Sequence, residues 1–328
     1  MKISAKTGEY IAQVQSKLDS TAFPHAPEGL YEPCSYLLQL GGKRIRPALL
    51  LMAADMYGAG TAQYINQAVC VEVFHNFTLM HDDIMDEAPV RRGKPTVHKK
   101  WNLNTGILSG DVMFVKAYEL LAEGLNPEEI HKVLPVFSRT AAEVCEGQQM
   151  DMNFESRDDV SPEEYLEMIR LKTAVLLGAA LKIGAVLAKA PDEQTQLLYR
   201  FGCNLGVAFQ IKDDLLDAFG DTDKTGKQRG GDILANKKTL LLLLAKQNAT
   251  QEQLQQLTTL ESSKIKAEEK IARTLAIFTA TGAVELATRE MNKYAEKAET
   301  ALNDLKPVKP EVKEALKQLS EALLNREF

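Results

Sequence analysis

The sequence predicts an all-α protein folded as a single domain. Apolar residues recur at spacings of three and four through most of its 328 residues. No stretch combines strict alternation, β-branched enrichment and a hairpin turn pair, so no sheet is expected. No linker or low-complexity tract divides the chain, which is long enough for one large core. The helical segments read from this spacing are 36–40, 47–57, 62–85, 109–123, 130–152, 162–189, 193–219, 238–247 and 262–305. Pro47, Pro127 and Pro162 stand where first-turn prolines belong, and Ser161 is a suitable N-cap. The punctuated segments are 23–33, 89–105, 153–161 and 221–236. The second and fourth are rich in Lys, Arg and Gly and each follows an acidic cluster, so they read as lids over a charged substrate.

Composition narrows the function. Hydrophobic residues make up 45% and charged residues 26%, the balance of a soluble globular protein. A net charge of -6 argues against a nucleic-acid binder. Cys34, Cys70, Cys145 and Cys203 form no C-x-x-C pair and read as free thiols. Residues 1–20 are polar without an apolar core, and the longest apolar stretch, 176–190, is interrupted by Lys182 and too short to span a bilayer. A cytoplasmic protein is expected.

Two clusters share the spacing D-D-x-x-D: Asp82, Asp83 and Asp86, then Asp213, Asp214 and Asp217. Acidic residues inside apolar helical runs need pairing or metal. On a helix the first and last Asp of each cluster are i and i+4 and share one face. Two side-by-side carboxylates suit Mg²⁺, which binds through one or two carboxylates plus substrate phosphate oxygens. A solvated acidic helix end would account for either cluster alone, but the matched spacing and apolar flanks of both favour metal. His81-Asp82 also fits the metal pair of a His-Asp phosphohydrolase. That site needs further ligands, and three of only five histidines (His75, His81, His98) lie in this one region.

Basic residues accompany both clusters. Arg91-Arg92-Gly93-Lys94 follows the first, and Lys224, Lys227, Lys237 and Lys238 follow the second, fitting a phosphate gripped by metal and cations together. Gly41-Gly42-Lys43-Arg44-Ile45-Arg46-Pro47 stands directly before a helix, where backbone N–H groups favour an anion. It lacks Walker spacing, and basic turns also cap helices for no catalytic reason. Lys172-Thr173 lies in an apolar helix, where a lysine usually extends to solvent. No Ser–His or Cys–His nucleophile is evident. The chemistry indicated is departure of diphosphate from an organic chain in an apolar pocket.

From Gly41 to Thr239, the order and spacing of these blocks resemble the trans-type isoprenyl diphosphate synthases of the polyprenyl synthetase family. Gly110-Asp111 and Gly147-Gln148-Gln149-Met150-Asp151 are similar to family landmarks. The resemblance implies the isoprenoid synthase fold, a helical bundle around a deep central cavity, usually homodimeric. It implies Mg²⁺-dependent, head-to-tail condensation of isopentenyl diphosphate with an allylic diphosphate (dimethylallyl, geranyl or farnesyl). Metal would be held by Asp82, Asp86 and Asp213, with Asp83, Asp214 and Asp217 completing those faces. Arg91, Lys172, Lys227 and Lys237 would hold the allylic diphosphate, and Lys43, Arg46, His75 and Arg92 the isopentenyl diphosphate. Thr173 and Gln210 would face the carbocation. Product length in this family is set by bulk beneath the first motif. Phe77 stands five residues before Asp82, about 7–8 Å down the helix, with Phe74 below it and small Thr78 beside it. This predicts an all-trans C15–C20 product; alternatively, Phe77 packs on a neighbouring helix and sets nothing.

Two departures stand out: Thr239 runs into Leu240–Leu244 without the Tyr-Pro of many members, and no strongly basic tail ends the chain. A terpene cyclase is disfavoured by the intact second D-D-x-x-D. A non-catalytic modulating subunit is disfavoured because both motifs are kept.

Overall fold

The computed structural model describes residues 3–21, 23–220, 229–262 and 265–325. In order they form α1 (Ala5–Ser20), α2 (Glu28–Gln39), α3 (Ile45–Met56), a 3₁₀ turn (Thr61–Tyr64), α4 (Ile65–Met85), β1 (Val90–Arg91), β2 (Lys94–Pro95), α5 (Val97–Lys100), α6 (Leu103–Ala122), α7 (Pro127–Glu155) and α8 (Pro162–Ile169). A π-turn (Arg170–Ala174) leads into α9 (Val175–Leu187) and α10 (Asp192–Phe219). Then come α11 (Gly231–Leu234), α12 (Leu240–Asn248), α13 (Gln251–Ser262), α14 (Ala267–Ala280), α15 (Ala283–Asn303) and α16 (Pro310–Leu324). The all-α expectation holds.

The long helices pack in succession: α6 on α4, α4 on α3, α3 on α9, α9 on α10 and α10 on α15. A large apolar core joins α1–α4, α6, α7, α9 and α16. A second cluster lies around α8, the C-terminal half of α10 and α12–α15. Both aspartate motifs therefore end long helices that emerge from packed cores. The predicted starts at Pro127 and Pro162 are observed, each with a capping box. At α8, Ser161 Oγ accepts from the Glu164 N–H at 3.1 Å while Glu164 Oε2 accepts from the Ser161 N–H at 2.9 Å.

Several boundaries differ from expectation. Helix α1 lies in a stretch that reads as polar because it buries a narrow stripe of Thr7, Tyr10, Val14 and Leu18. Pro33 was expected to close a loop but lies inside α2, in a turn anchored by buried Cys34, Leu37 and Leu38. The segment 262–305 is two helices, broken where Gly282 takes φ +71. Residues 162–189 are not one regular helix: the π-turn interrupts them at Lys172. A two-residue antiparallel ribbon pairs Val90 with Pro95 and Arg91 with Lys94, where no strand was expected. Its turn residues Arg92 and Gly93 have φ +52 and +75, the twist hairpins favour. Tyr36 anchors it by donating to the Pro95 carbonyl at 2.8 Å. Segment 89–105 is thus a pinned ribbon followed by α5 and the start of α6. Of 221–236, residues 221–228 lie outside the described structure.

The chain ends are clasped together at Asp55 of α3. Its carboxylate accepts from Tyr10 Oη at 2.6 Å and from Lys309 Nζ at 2.5 Å, with Lys6 at 3.4 Å. Burial works to raise the Asp55 pKa, but the bonds from Lys309 and Tyr10 outweigh it and hold the pKa below its ordinary 3.8. A depressed carboxylate pKa contributes stability above the unfolded value that is lost as pH falls through the folded one. We expect Asp55→Ala to lower unfolding free energy by about 2 kcal/mol at pH 7, because the Tyr10 hydroxyl loses its partner. In urea unfolding, the gap to the parent protein should shrink below pH 4; a pH-independent gap would contradict the clasp.

Candidate active site

Each aspartate motif divides its residues between two faces of its helix. On α4, Asp82 and Asp86 lie toward the open side, while Asp83 is 2% exposed and accepts from Arg91 Nε at 2.7 Å. On α10, Asp213 and Asp217 are half-buried, while Asp214 is buried. Asp214 accepts from Tyr165 Oη and, at 3.1 Å, from Gln210 Nε2. Burial pushes the Asp214 carboxyl well above the usual carboxylate range, with Asp232 adding to the push. The middle aspartates are therefore buried against protein partners, and the outer four, which are less buried, are the candidates for metal. This differs from the expectation that all six form metal-binding faces. The reason is helical geometry: the middle residue turns about 100° away from the first.

The two motifs meet through the segment after α10. The Asp217 carbonyl accepts from the Gly230 N–H at 2.8 Å, and its Oδ2 from the Asp232 N–H at 3.0 Å. Lys237 Nζ then comes within 3.9 Å of Asp86 Oδ2 on α4. Lys227 lies outside the described residues.

Lys172 does not extend to solvent. The π-turn carries it inward, where Nζ donates to Asp151 of α7 at 2.6 Å. Burial opposes its charge, but Asp82 and Asp151 more than compensate and raise its pKa. Burial also raises the Asp82 pKa, against the lowering effect of Lys172. Beside Lys172, Thr173 Oγ1 lies 3.5 Å from Gln210 Oε1. The Gln210 amide thus spans from Thr173 to Asp214.

The basic turn before α3 lines a cavity of about 280 Å³ with Lys43, Arg46, His75, Arg92 and Phe209. Arg44 is its structural pin: with φ +51, it donates to Glu72 at 2.5 Å and to the Leu38 carbonyl at 2.7 Å. Arg46 Nη1 donates to His75 Nε2 at 3.2 Å. Burial, then Arg46 and Arg92, push the His75 pKa well below its usual value, so the ring is neutral and can accept. Arg92 donates to the Gly41 carbonyl, joining the ribbon to this turn.

A second cavity of about 220 Å³ is lined by Asp82, Lys172, Thr78, His81, Val144, Gln148 and Phe77, among others. Phe77 stacks on Phe114 at 5.0 Å and 24°, and Phe74, Phe137 and Tyr118 extend the aromatic cluster below. Phe74 is fully buried within that cluster, with Phe77 between it and the cavity. Thr78 donates to the His75 carbonyl at 2.8 Å.

Several participants escaped sequence reasoning. Tyr165 and Glu72 carried no motif signal. Phe114 is one apolar residue of an amphipathic helix. Asp151 ends the block Gly147–Asp151, but its bond to Lys172 depends on the π-turn. The four cysteines are free thiols, as expected.

The donor set fits Mg²⁺ shared with a substrate. Among the described residues, no three His, Cys, Asp or Glu side chains gather closely enough to enclose an ion. Asp82 with Asp86 and Asp213 with Asp217 instead offer carboxylate pairs that need further oxygens, as Mg²⁺ on a phosphate does.

The model of the family described as polyprenyl synthetase matches residues 27–278. The chain belongs to the polyprenyl synthetase family. It is 39% identical over 320 residues to the geranylgeranyl diphosphate synthase of Methanosarcina mazei, covering 97% of this chain and 96% of that one. It is 44% identical over 237 residues to the geranylfarnesyl diphosphate synthase of Natronomonas pharaonis, covering 67% and 70%. The crystal structure of geranylgeranyl pyrophosphate synthetase from Pyrococcus horikoshii superposes with a TM-score of 0.91 at 35% identity, covering 98% of this chain and all of that one.

In this member of the polyprenyl synthetase family, one glycine permits the placement of Lys172. A Cβ on Gly147 of α7 would lie 2.3 Å from the Lys172 backbone nitrogen and 2.8 Å from its Cα. We expect Gly147→Ala to part α7 from the π-turn, costing about 1–3 kcal/mol of stability and, from misplaced Lys172, about a hundredfold in turnover. Steady-state kinetics and denaturant unfolding check this; parent-like turnover would contradict it.

Proposed function

We propose that this protein joins isopentenyl diphosphate head-to-tail to an allylic diphosphate (dimethylallyl, geranyl or farnesyl) and releases an all-trans C15–C20 prenyl diphosphate. That it is a short-chain isoprenyl diphosphate synthase, a prenyltransferase, follows from its family and relatives. The finer reading is supported above all by one juxtaposition. The acidic ends of α4 and α10 are bridged by Lys237 near Asp86, and a cavity whose lining includes both Asp82 and Phe77 adjoins them.

Asp82, Asp86, Asp213 and Asp217 would hold Mg²⁺. When bound, Mg²⁺ supplies positive charge that makes diphosphate a competent leaving group. Lys172 and Lys237, with the Lys227 expected from sequence, bind the allylic diphosphate oxygens. Arg91 engages Asp83 through Nε, and its remaining N–H groups can add to that grip. Lys43, Arg46 and Arg92 bind the second diphosphate beside neutral His75, orienting its carbon chain toward the first substrate. As the allylic C–O bond breaks, the Thr173 and Gln210 oxygens face the positive carbon, with Asp214 and Tyr165 fixing the amide. Apolar walls exclude water that would trap the cation. The isopentenyl double bond then forms the new C–C bond, and a proton leaves to the departed diphosphate.

Leu103, Ile107, Leu108 and Val115 stand exposed on α6, an apolar stripe that fits a second copy of the chain. We therefore read the enzyme as a homodimer. No helix among the described residues is long and apolar enough to cross a membrane, and we read the enzyme as cytoplasmic.

The test is turnover of isopentenyl diphosphate with separate C5, C10 and C15 allylic diphosphates and Mg²⁺, with product alcohols resolved by length and particle mass followed by light scattering. We expect C15 or C20 alcohols from a particle near twice 36.3 kDa. Phe77→Ala should lengthen the product by at least one C5 unit, at a stability cost of about 3–4 kcal/mol. Unchanged length would remove Phe77 as the floor. Cyclic hydrocarbon from an allylic substrate alone would replace the reading with a cyclase, and absence of turnover with a non-catalytic subunit.

A further inference from the structure

Helix α14 lines neither substrate cavity, yet it grips the segment that closes the acidic site. Lys270 on α14 is 8% exposed. Its Nζ donates to Asn236 Oδ1 at 2.7 Å, and the Asn236 amide donates to the Glu261 carbonyl of α13 at 3.2 Å. Asn236 takes φ +55, a left-handed turn that Asn tolerates better than most residues. At the other end of the segment stands Gly230, φ +74, where a Cβ would meet Ile271 at 2.8 Å. Neighbouring residues of one helix, Lys270 and Ile271, therefore meet both ends of the segment 230–236.

What lies between and beside those ends reaches both motifs. The Asp232 N–H donates to Asp217 Oδ2 at 3.0 Å, and the Asp232 carbonyl accepts from the Lys237 N–H at 2.9 Å. Lys237, directly after Asn236, faces Asp86 at 3.9 Å. Desolvating an ammonium is costly, so a lysine with a surface alternative seldom stays buried on a neutral carbonyl. Lys270 is tied to the turn that sets the direction of Lys237.

We propose that Lys270, through Asn236, is a positioning residue for allylic diphosphate binding. It touches no substrate. It fixes the left-handed turn so that Lys237 and the Asp217-capping amide keep their spacing across the mouth of the site. The inference rests on the reading that Lys237 and the outer aspartates hold the allylic diphosphate. The isopentenyl pocket draws its charged lining from the turn before α3, from α4 and from the ribbon, and its apolar lining includes Phe209 of α10; no residue of the segment 230–237 lines it.

The test compares Lys270→Met, Lys270→Arg, Asn236→Gly and the Met/Gly double variant with the parent. Asn236→Gly keeps the left-handed backbone accessible and removes the whole amide, both the acceptor for Lys270 and the donor to the Glu261 carbonyl. Three quantities are measured: KM for each substrate, calorimetric binding of inorganic diphosphate with Mg²⁺, and thermal unfolding without ligand. Lys270→Met should raise the allylic KM and weaken diphosphate binding, each about tenfold, and leave the isopentenyl KM within about twofold. Arginine should restore most of the loss. The double variant should be no worse than Asn236→Gly alone, because the Lys270–Asn236 bond is already absent there. Equal rises in both KM values, a fall in unfolding temperature alone, or no change would overturn the proposal. If Lys270→Met does not fold, Asn236→Gly decides by the same criteria. A parent enzyme without turnover would sink the catalytic reading, and the calorimetric comparison would still decide the role of Lys270.

Discussion

Acidic clusters at the ends of apolar helices are costly wherever a carboxylate leaves water, as Asp83 and Asp214 do, and the structure depends on how that cost is met. Each D-D-x-x-D motif meets it in two ways. The middle aspartate is absorbed by protein partners: Asp83 by Arg91, Asp214 by Tyr165 and Gln210. The outer pair stays less buried and meets cations and an amide: Lys172 beside Asp82, Lys237 near Asp86, and the Asp232 N–H on Asp217. The inner aspartates therefore organise what surrounds the site. Asp83 seats the ribbon that carries Arg91 and Arg92, and Asp214 orients the Gln210 amide.

Close backbone approach makes this arrangement possible. Gly147 lets α7 touch the π-turn, the turn brings Lys172 to Asp151, and Lys172 then lies beside Asp82. The basic turn follows similar logic. Arg44 is locked on Glu72 and the Leu38 carbonyl, and Arg46 is held on a neutral His75. The basic turn thus keeps its charges beside the ribbon, held by Glu72, His75 and the Gly41 carbonyl and not by the aspartate motifs.

Much of this was legible because it is local. The D-D-x-x-D spacing, the first-turn prolines, the Ser161 cap and the Gly41–Pro47 block are read over a few residues, and they lead to the helical fold and to the site's principal charges. What stayed hidden depends on partners distant in sequence. Nothing within α4 says that Asp83 turns to an arginine eight residues on, and nothing near Lys172 announces the π-turn that a glycine on α7 permits. The ribbon at 90–95 is too short for alternation to show. Helix α1 buries so narrow a stripe that its polar remainder dominates the reading. The Lys270–Asn236 contact spans 34 residues and joins two segments without a motif between them.

We propose a division of labour within each motif: outer aspartates for metal and diphosphate, middle aspartates for the scaffold. Crystals grown with Mn²⁺ and a non-reactive thiolo-diphosphate analogue of an allylic substrate would test it through anomalous scattering. The account predicts Mn²⁺ peaks bound by Asp82 and Asp86 and by Asp213 and Asp217, with diphosphate oxygens completing each shell. Asp83 should remain on Arg91, and Asp214 on Tyr165. Manganese bound by Asp83 or Asp214, with those bonds broken, would contradict it.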